Sequence, residues 1–228
     1  MSVILSYNNF YPKYINFLSS KDNSVIDGGI HLKICYTSPY IELTTVYIDT
    51  PIMLIPFGLC QYNNTYDEKN LNKYYLDFSF CGIEQNKELQ IFYKKLEEFD
   101  NLVINYVYEN KHLFENFIDF NKDIEKSYIN QIRYNIDKIN NRKNIAFPPT
   151  FKIKLSKNDD NAFGIQFFDI NNNNCNINDF DLKGCKAKSV LECNGLWFAN
   201  NRFGITWKLK RLNIEKMPNR INGYRFLD

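Results

Sequence analysis

At 228 residues, with a 16% aromatic fraction and only nine Gly and seven Pro, the chain can bury a substantial core, and its composition excludes a disordered or collagen-like polymer. Its 28 Lys/Arg and 26 Asp/Glu leave a net charge of +2, which by itself points to no polyanionic partner. No run approaches the ~18 apolar residues of a membrane span, and the N-terminus lacks the charged-then-apolar order of a signal peptide, so the expectation is a soluble intracellular protein with no membrane contact.

In chain order, residues 30–48 are rich in β-branched and aromatic side chains and read as one or two strands. The apolar stretch 51–62 is interrupted by Pro56 and Gly58, which predicts a strand with a bend or bulge. Residues 72–80, "NKYYLDFSF", alternate as a strand does. From Glu84 to about Glu109 the period changes: Leu89, Phe92, Tyr93, Leu96, Phe99, Leu102, Val103 and Tyr106 recur at three- and four-residue spacing, the mark of an amphipathic helix. Ile124, Tyr128, Ile132 and Ile136 predict a second, shorter helix near 121–139, ended before Pro148 and Pro149. "FKIKL" at 151–155 alternates again, and with "AFGIQFFDI" beyond a polar turn it reads as a hairpin. A polar loop follows at 171–181, and then a second hairpin spanning "AKSVLECNGLWF" and "RFGITWKLKRLNI". Strands, then helices, then strands predict an α+β, mainly β fold around a curved sheet or small barrel, as one domain over 1–228 with a helical insertion at about 84–140.

The six cysteines show no C-x-x-C pair, and His31 and His112 stand apart from them, so reduced, mostly buried thiols are expected and no metal site or cofactor. Charge is unevenly distributed. From Lys183 to Asp228 there are ten Lys/Arg against three Asp/Glu, a net of +7, which leaves −5 on residues 1–182. A basic C-terminal third on a near-neutral protein is either a solvated face or the footprint of a polyanion.

The second hairpin can be read by parity. Asn200-Asn201 suits a tight turn that needs positive φ. With that loop, Phe198 faces Phe203, Leu196 faces Ile205 and Asn194 faces Trp207. Leu196, Phe198, Phe203, Ile205, Trp207 and Leu209 then share one apolar face. The other face carries Trp197, Arg202, Thr206, Lys208 and Lys210, with Gly195 and Gly204 leaving it low and open. In "FKIKL", Lys152 and Lys154 point outward in the same way. A tryptophan among cations is the chemistry that holds single-stranded nucleic acid, through base stacking and phosphate neutralisation. Ordinary solvated lysines beside a tryptophan covered by a loop give the same pattern.

"TPIMLIPFGLCQY", "YYLDFSF", the long helix, "PPTFKIKL" and "GLWFANNRFGITWKLK", in that order, resemble the phage-T7-type single-stranded DNA-binding proteins of large nucleocytoplasmic DNA viruses. The resemblance runs from about residue 30 to 214. It implies an OB-fold-like small barrel with an inserted helical segment, and a groove that coats single strands in genome replication, recombination or repair. The implied location is the viral replication compartment of the host cell, in cytoplasm or nucleus. The implied contacts fall on Lys152, Lys154, Trp197, Lys208 and Lys210, with Arg202 added from the hairpin face. RNA stays open beside DNA, and replication proteins and a homodimer are further implied partners. The phage-type proteins end in an acidic tail with a terminal aromatic, whereas the segment at about 215–228 here ends "EKMPNRINGYRFLD" and is basic.

Enzymatic motifs are missing: there is no G-x-S-x-G, no Gly-rich phosphate loop and no Cys–His pair with an orienting third group. Asp159, Asp160, Asp169, Asp179 and Asp181 fall in or beside turns, where capping explains them better than a metal pair does. A non-enzymatic binding protein is therefore expected. The competing class is a virion structural or protein-interaction module that uses the same aromatic surface against protein.

Overall fold

The computed structural model describes residues 3–18, 24–26, 29–62, 73–137, 142–158 and 162–218. The basic segment expected at about 215–228 lies outside these beyond Pro218, as do Asp159 and Asp160. The principal elements are β1 (Gly29–Leu32), β2 (Tyr47–Asp49), β3 (Met53–Leu54), β4 (Lys73–Ser79), α1 (Lys87–Glu109), α2 (Ile124–Ser127), β5 (Tyr128–Ile129), β6 (Ile132–Arg133), β7 (Thr150–Ser156), β8 (Gln166–Phe168), β9 (Lys186–Ala199) and β10 (Arg202–Lys216). A small second sheet joins Ile15–Phe17, Ile34–Ser38 and Ile41–Thr45. Where one or two strands were expected over 30–48, the chain forms four short ones, because it leaves β9 for the small sheet and then returns.

The main sheet closes on itself. β3 pairs with β4, β4 with β7, β7 with β10, β10 with β9, and β9 returns to β3. β2 and β3 both lie on β9, so they act as two halves of one barrel strand. Four of these contacts are antiparallel, and the β7–β10 junction alone is parallel. Counting β2–β3 as one strand, this is the five-stranded 1-2-3-5-4-1 ring of an OB-type barrel, and closure leaves the ring without a free edge. The architecture is mainly β with one long helix.

Alternation fills the ring. Leu76 and Phe78 of β4, Phe151, Ile153 and Leu155 of β7, and Phe203, Trp207 and Leu209 of β10 are all buried. α1 lies between β4 and β7 in sequence. Asn86 caps it by accepting from the backbone N–H groups of Glu88 and Leu89 at 2.9 and 3.2 Å. The helix turns Leu89, Phe92, Leu96, Phe99 and Val103 to the core, with Phe92 edge-on to Phe151 and Phe99 edge-on to Trp207.

Two expected elements are corrected. The second helix is a single turn, α2, after which the chain extends into β5 and β6. A spacing of four is also a multiple of two, so Ile124, Tyr128 and Ile132 could equally line one side of extended chain. Tertiary bonds settle the choice: the Tyr128 hydroxyl, the Gln131 backbone N–H and the Gln131 amide all donate to the buried Asp100 carboxylate of α1. The "FKIKL" hairpin also does not form beyond an isolated Lys157–Phe163 bridge. β4 takes one edge of β7, β6 and β10 take the other, and β8 instead pairs in parallel with Arg211–Asn213 of β10.

The long hairpin turns where expected. Asn200 and Asn201 have φ of 52° and 57°, and Phe198 faces Phe203 while Leu196 faces Ile205. Asn194 does not face Trp207, however. Cys193 does, and Gly195 faces Thr206, which leaves Asn194 as the extra residue of a bulge. Lys210 is skipped in the same way between Leu209 and Arg211. Strict alternation missed both.

No cysteine is bridged; three of the six thiols are buried, two half-buried, and Cys81 is exposed. Burial pushes the Cys193 thiol up to about 12. Among the described residues no helix is long and apolar enough to cross a membrane.

Candidate nucleic-acid interface

The outer face of β4, β7 and β10 gathers cations. Phe151, Ile153 and Leu155 point inward, so Lys152 and Lys154 stand outside, Lys152 opposite Asp77 and Lys154 opposite Tyr75 on β4. Across the parallel junction Lys154 is the register partner of Lys208. Arg133 arrives on β6, which lies along the start of β7, and Lys73 begins β4. Burial first, and then the like charges of Arg133, Lys73, Lys208 and Lys152, hold the Lys154 ammonium below the usual lysine range although its side chain reaches solvent. Lys152 is lowered too, by burial, with Asp77 opposing and Arg133 adding to the shift. Among the described residues none of these five cations makes an ion pair. Five other cations are matched, among them Lys188 with Asp49 at 2.9 Å and Lys122 with Asp119 at 3.0 Å.

Aromatic rings lie within the same surface. Tyr75 and Tyr62 pair with centroids 4.9 Å apart, and the Lys152 ammonium sits 3.5 Å from the centre of the Tyr75 ring. On β9, Trp197 is half-buried. Its indole edge lies over Gly204, where a Cβ would come within 3.3 Å of it. His31 of β1 is the cross-strand partner of Trp197. Its imidazole covers Gly195 and lies 3.2 Å from the Asn194 amide. Burial, then Lys208, holds that imidazole below its ordinary pKa. The two glycines expected to leave the face open are thus covered. A Cβ on Gly195 would meet the Leu32 carbonyl at 2.3 Å, and one on Gly204 would meet the Ile129 carbonyl at 3.2 Å.

The expected site residues therefore fall into groups. Lys152, Lys154 and Lys208 converge, and Trp197 joins them through His31, which feels both Lys208 and Lys154. Lys210 stands apart on its bulge, bonded to Glu192 at 3.0 Å. Arg202 lies at the hairpin tip and lines a different cleft with Lys122 and Lys126. Sequence reasoning passed over Tyr62, Tyr75, Lys73 and Arg133. Tyr75 was legible from parity, because Leu76 and Phe78 facing inward put it outside. Arg133 was hidden by the misread second helix.

Asp169 and Asp181 accept from backbone N–H groups within their own turns. Among the described residues no three His, Cys, Asp or Glu side chains are grouped to hold a metal.

No protein-family model matches the chain, and no curated protein matches it either. Among solved structures it is similar to the single-stranded DNA-binding protein from bacteriophage Enc34 in complex with ssDNA, with a TM-score of 0.42 and 9% identity, over 87% of this chain and 96% of that one. It is also similar to gp2.5, a single-stranded DNA-binding protein encoded by bacteriophage T7, with a TM-score of 0.40 and 11% identity, over 80% and 98% of the two chains.

Proposed function

We propose that this chain is a non-enzymatic single-stranded DNA-binding protein whose OB-type barrel holds the strand along the outer face of β4, β7 and β10. Five cations crowd that face around a single carboxylate, Asp77, and none of them makes an ion pair with a described residue; together with the half-buried aromatic rings beside them, this observation carries the reading. Like charges brought together by the fold cost stability unless a ligand relieves them, and a phosphodiester backbone supplies regularly spaced anions that do so. Tyr62, Tyr75 and Trp197 provide ring surface for sequence-tolerant stacking. Lys152, Lys154 and Lys208 neutralise phosphates, with Arg133 and Lys73 extending the track. Lys210 and Arg202 act as peripheral contacts. The setting we propose is replication, recombination or repair of a large DNA virus genome, which follows the sequence resemblance.

The test is fluorescence anisotropy of labelled oligo-dT at two salt concentrations, with duplex DNA of equal length as competitor. Tight binding that weakens steeply with salt and resists the duplex is expected. No binding at low salt would overturn the reading and turn attention to a protein partner on the same surface.

A further inference from the structure

Beside the cationic face lies a cleft of about 440 Å³ whose lining includes Phe57, Phe147, Asp77, Ser79, Lys152 and Arg133. Phe57 and Phe147 are exposed on 62% and 56% of their surface, so both rings are open to a planar group entering the cleft. Asp77 is nine-tenths buried in the barrel wall, yet its carboxylate makes no hydrogen bond or ion pair with any described residue. A buried acceptor left without a donor costs free energy, so the arrangement calls for one from outside. Lys152 and Arg133 line the same cleft and place positive charge near that carboxylate.

We infer that this cleft takes one guanine base of the bound strand, which rests on the reading of the chain as a single-stranded DNA-binding protein. A carboxylate accepts from two neighbouring donors, and among the four DNA bases only guanine presents such a pair on one edge, at N1–H and the 2-amino group. Its O6, next along that edge, is an acceptor suited to the Lys152 or Arg133 cation. The ring stacks on Phe57 or Phe147. Thymine, adenine and cytosine each offer a single donor position to the carboxylate, and hypoxanthine lacks the 2-amino group. The protein would therefore coat DNA of any sequence while settling its register on guanines.

The experiment measures anisotropy with a labelled dT 15-mer carrying one central dT, dG, dI, dA or dC. On an otherwise uniform strand the protein can shift until the odd base reaches the cleft. The dG oligonucleotide should bind about tenfold more tightly than the dI one. Asp77→Asn should bring that ratio close to one, while raising affinity for the whole series because a negative charge leaves the cationic face. Equal affinity of the wild-type protein for dG and dI overturns the guanine cleft, as does a ratio that survives in D77N. If D77N does not fold, the wild-type dG/dI comparison still decides. Failure of every oligonucleotide, dT included, overturns the single-strand reading itself and the cleft with it.

Discussion

Lys154 and Lys208 are register partners across the one parallel junction of the barrel, two like charges brought onto neighbouring strands, and the charge of Lys208 helps to hold Lys154 below the usual lysine range. They stand 54 residues apart in the sequence, and barrel closure is what forces them together. The juxtaposition is unfavourable in the free protein and favourable once phosphates arrive, so stability and binding should respond to these residues in opposite directions.

Lys154→Gln should therefore weaken oligo-dT binding at low salt by about 3- to 10-fold and reduce the slope of log K against log salt by about 0.7, the value of one phosphate contact on a single strand. Its melting temperature should be unchanged or slightly raised, because a crowded charge has been removed. Salt titrations by anisotropy with a parallel thermal melt check both halves. A lowered melting temperature with an unchanged slope would show that Lys154 serves the fold instead.

The two tryptophans should separate cleanly. Trp207 is 2% exposed, packs edge-on against Phe99 and Phe151, and donates its indole N–H to Gln131, so Trp207→Ala should destabilise by about 3–5 kcal/mol. Trp197 lies half-buried over Gly204. Trp197→Ala should cost only about 1 kcal/mol of stability but about 1–3 kcal/mol of DNA binding. Urea unfolding and anisotropy on the same two variants measure the contrast.

Asp100 carries a pH dependence of defined sign. Burial raises its pKa to about 6 against the hydrogen bonds from Tyr128 and Gln131, whereas in the unfolded chain it titrates near 3.9. The folded state thus holds a proton that the unfolded state has released between those values. Its contribution is fully present below about pH 4, is lost as pH rises through about 6, and is flat above that, for a total of about 3 kcal/mol. The difference in unfolding free energy between wild type and Asp100→Asn, followed from pH 4 to 7, should change by this amount. A constant difference would place the carboxylate's pKa at its ordinary value.

Among the described glycines, Gly195 leaves the least room for a side chain. With φ of +120° and the Leu32 carbonyl 2.3 Å from where a Cβ would stand, Gly195→Ala should cost at least about 3 kcal/mol and release β1 from β9. Faster amide exchange at residues 30–32 in the variant would report that release.

Much of the scaffold was legible locally. The three-and-four spacing from Leu89 to Val103 marked α1, the Asn-Asn pair marked the long hairpin, and parity put Phe198, Phe203 and Trp207 inside. Reading failed where a local signal had two meanings or where an extra residue broke the count. Ile124, Tyr128 and Ile132 satisfied helix and strand alike until the bonds from Tyr128 and Gln131 to Asp100 fixed the extended form, and nothing in "LECNGLWF" announces that Asn194 is skipped.

Where an element is regular and free of bulges, the sequence by itself determined which apolar side chains turn inward, because side-chain direction follows from periods of two and 3.6 that a short stretch displays. Only the tertiary structure decided which outward residues meet. Tyr62, Tyr75, Arg133, Lys154 and Lys208 lie on separate segments, and their convergence depends on how β4, β7 and β10 pair around the closed ring. Pairing between distant strands is chosen by the whole set of competing edges at once. The sheet face was therefore readable one strand at a time, and the charged surface was not.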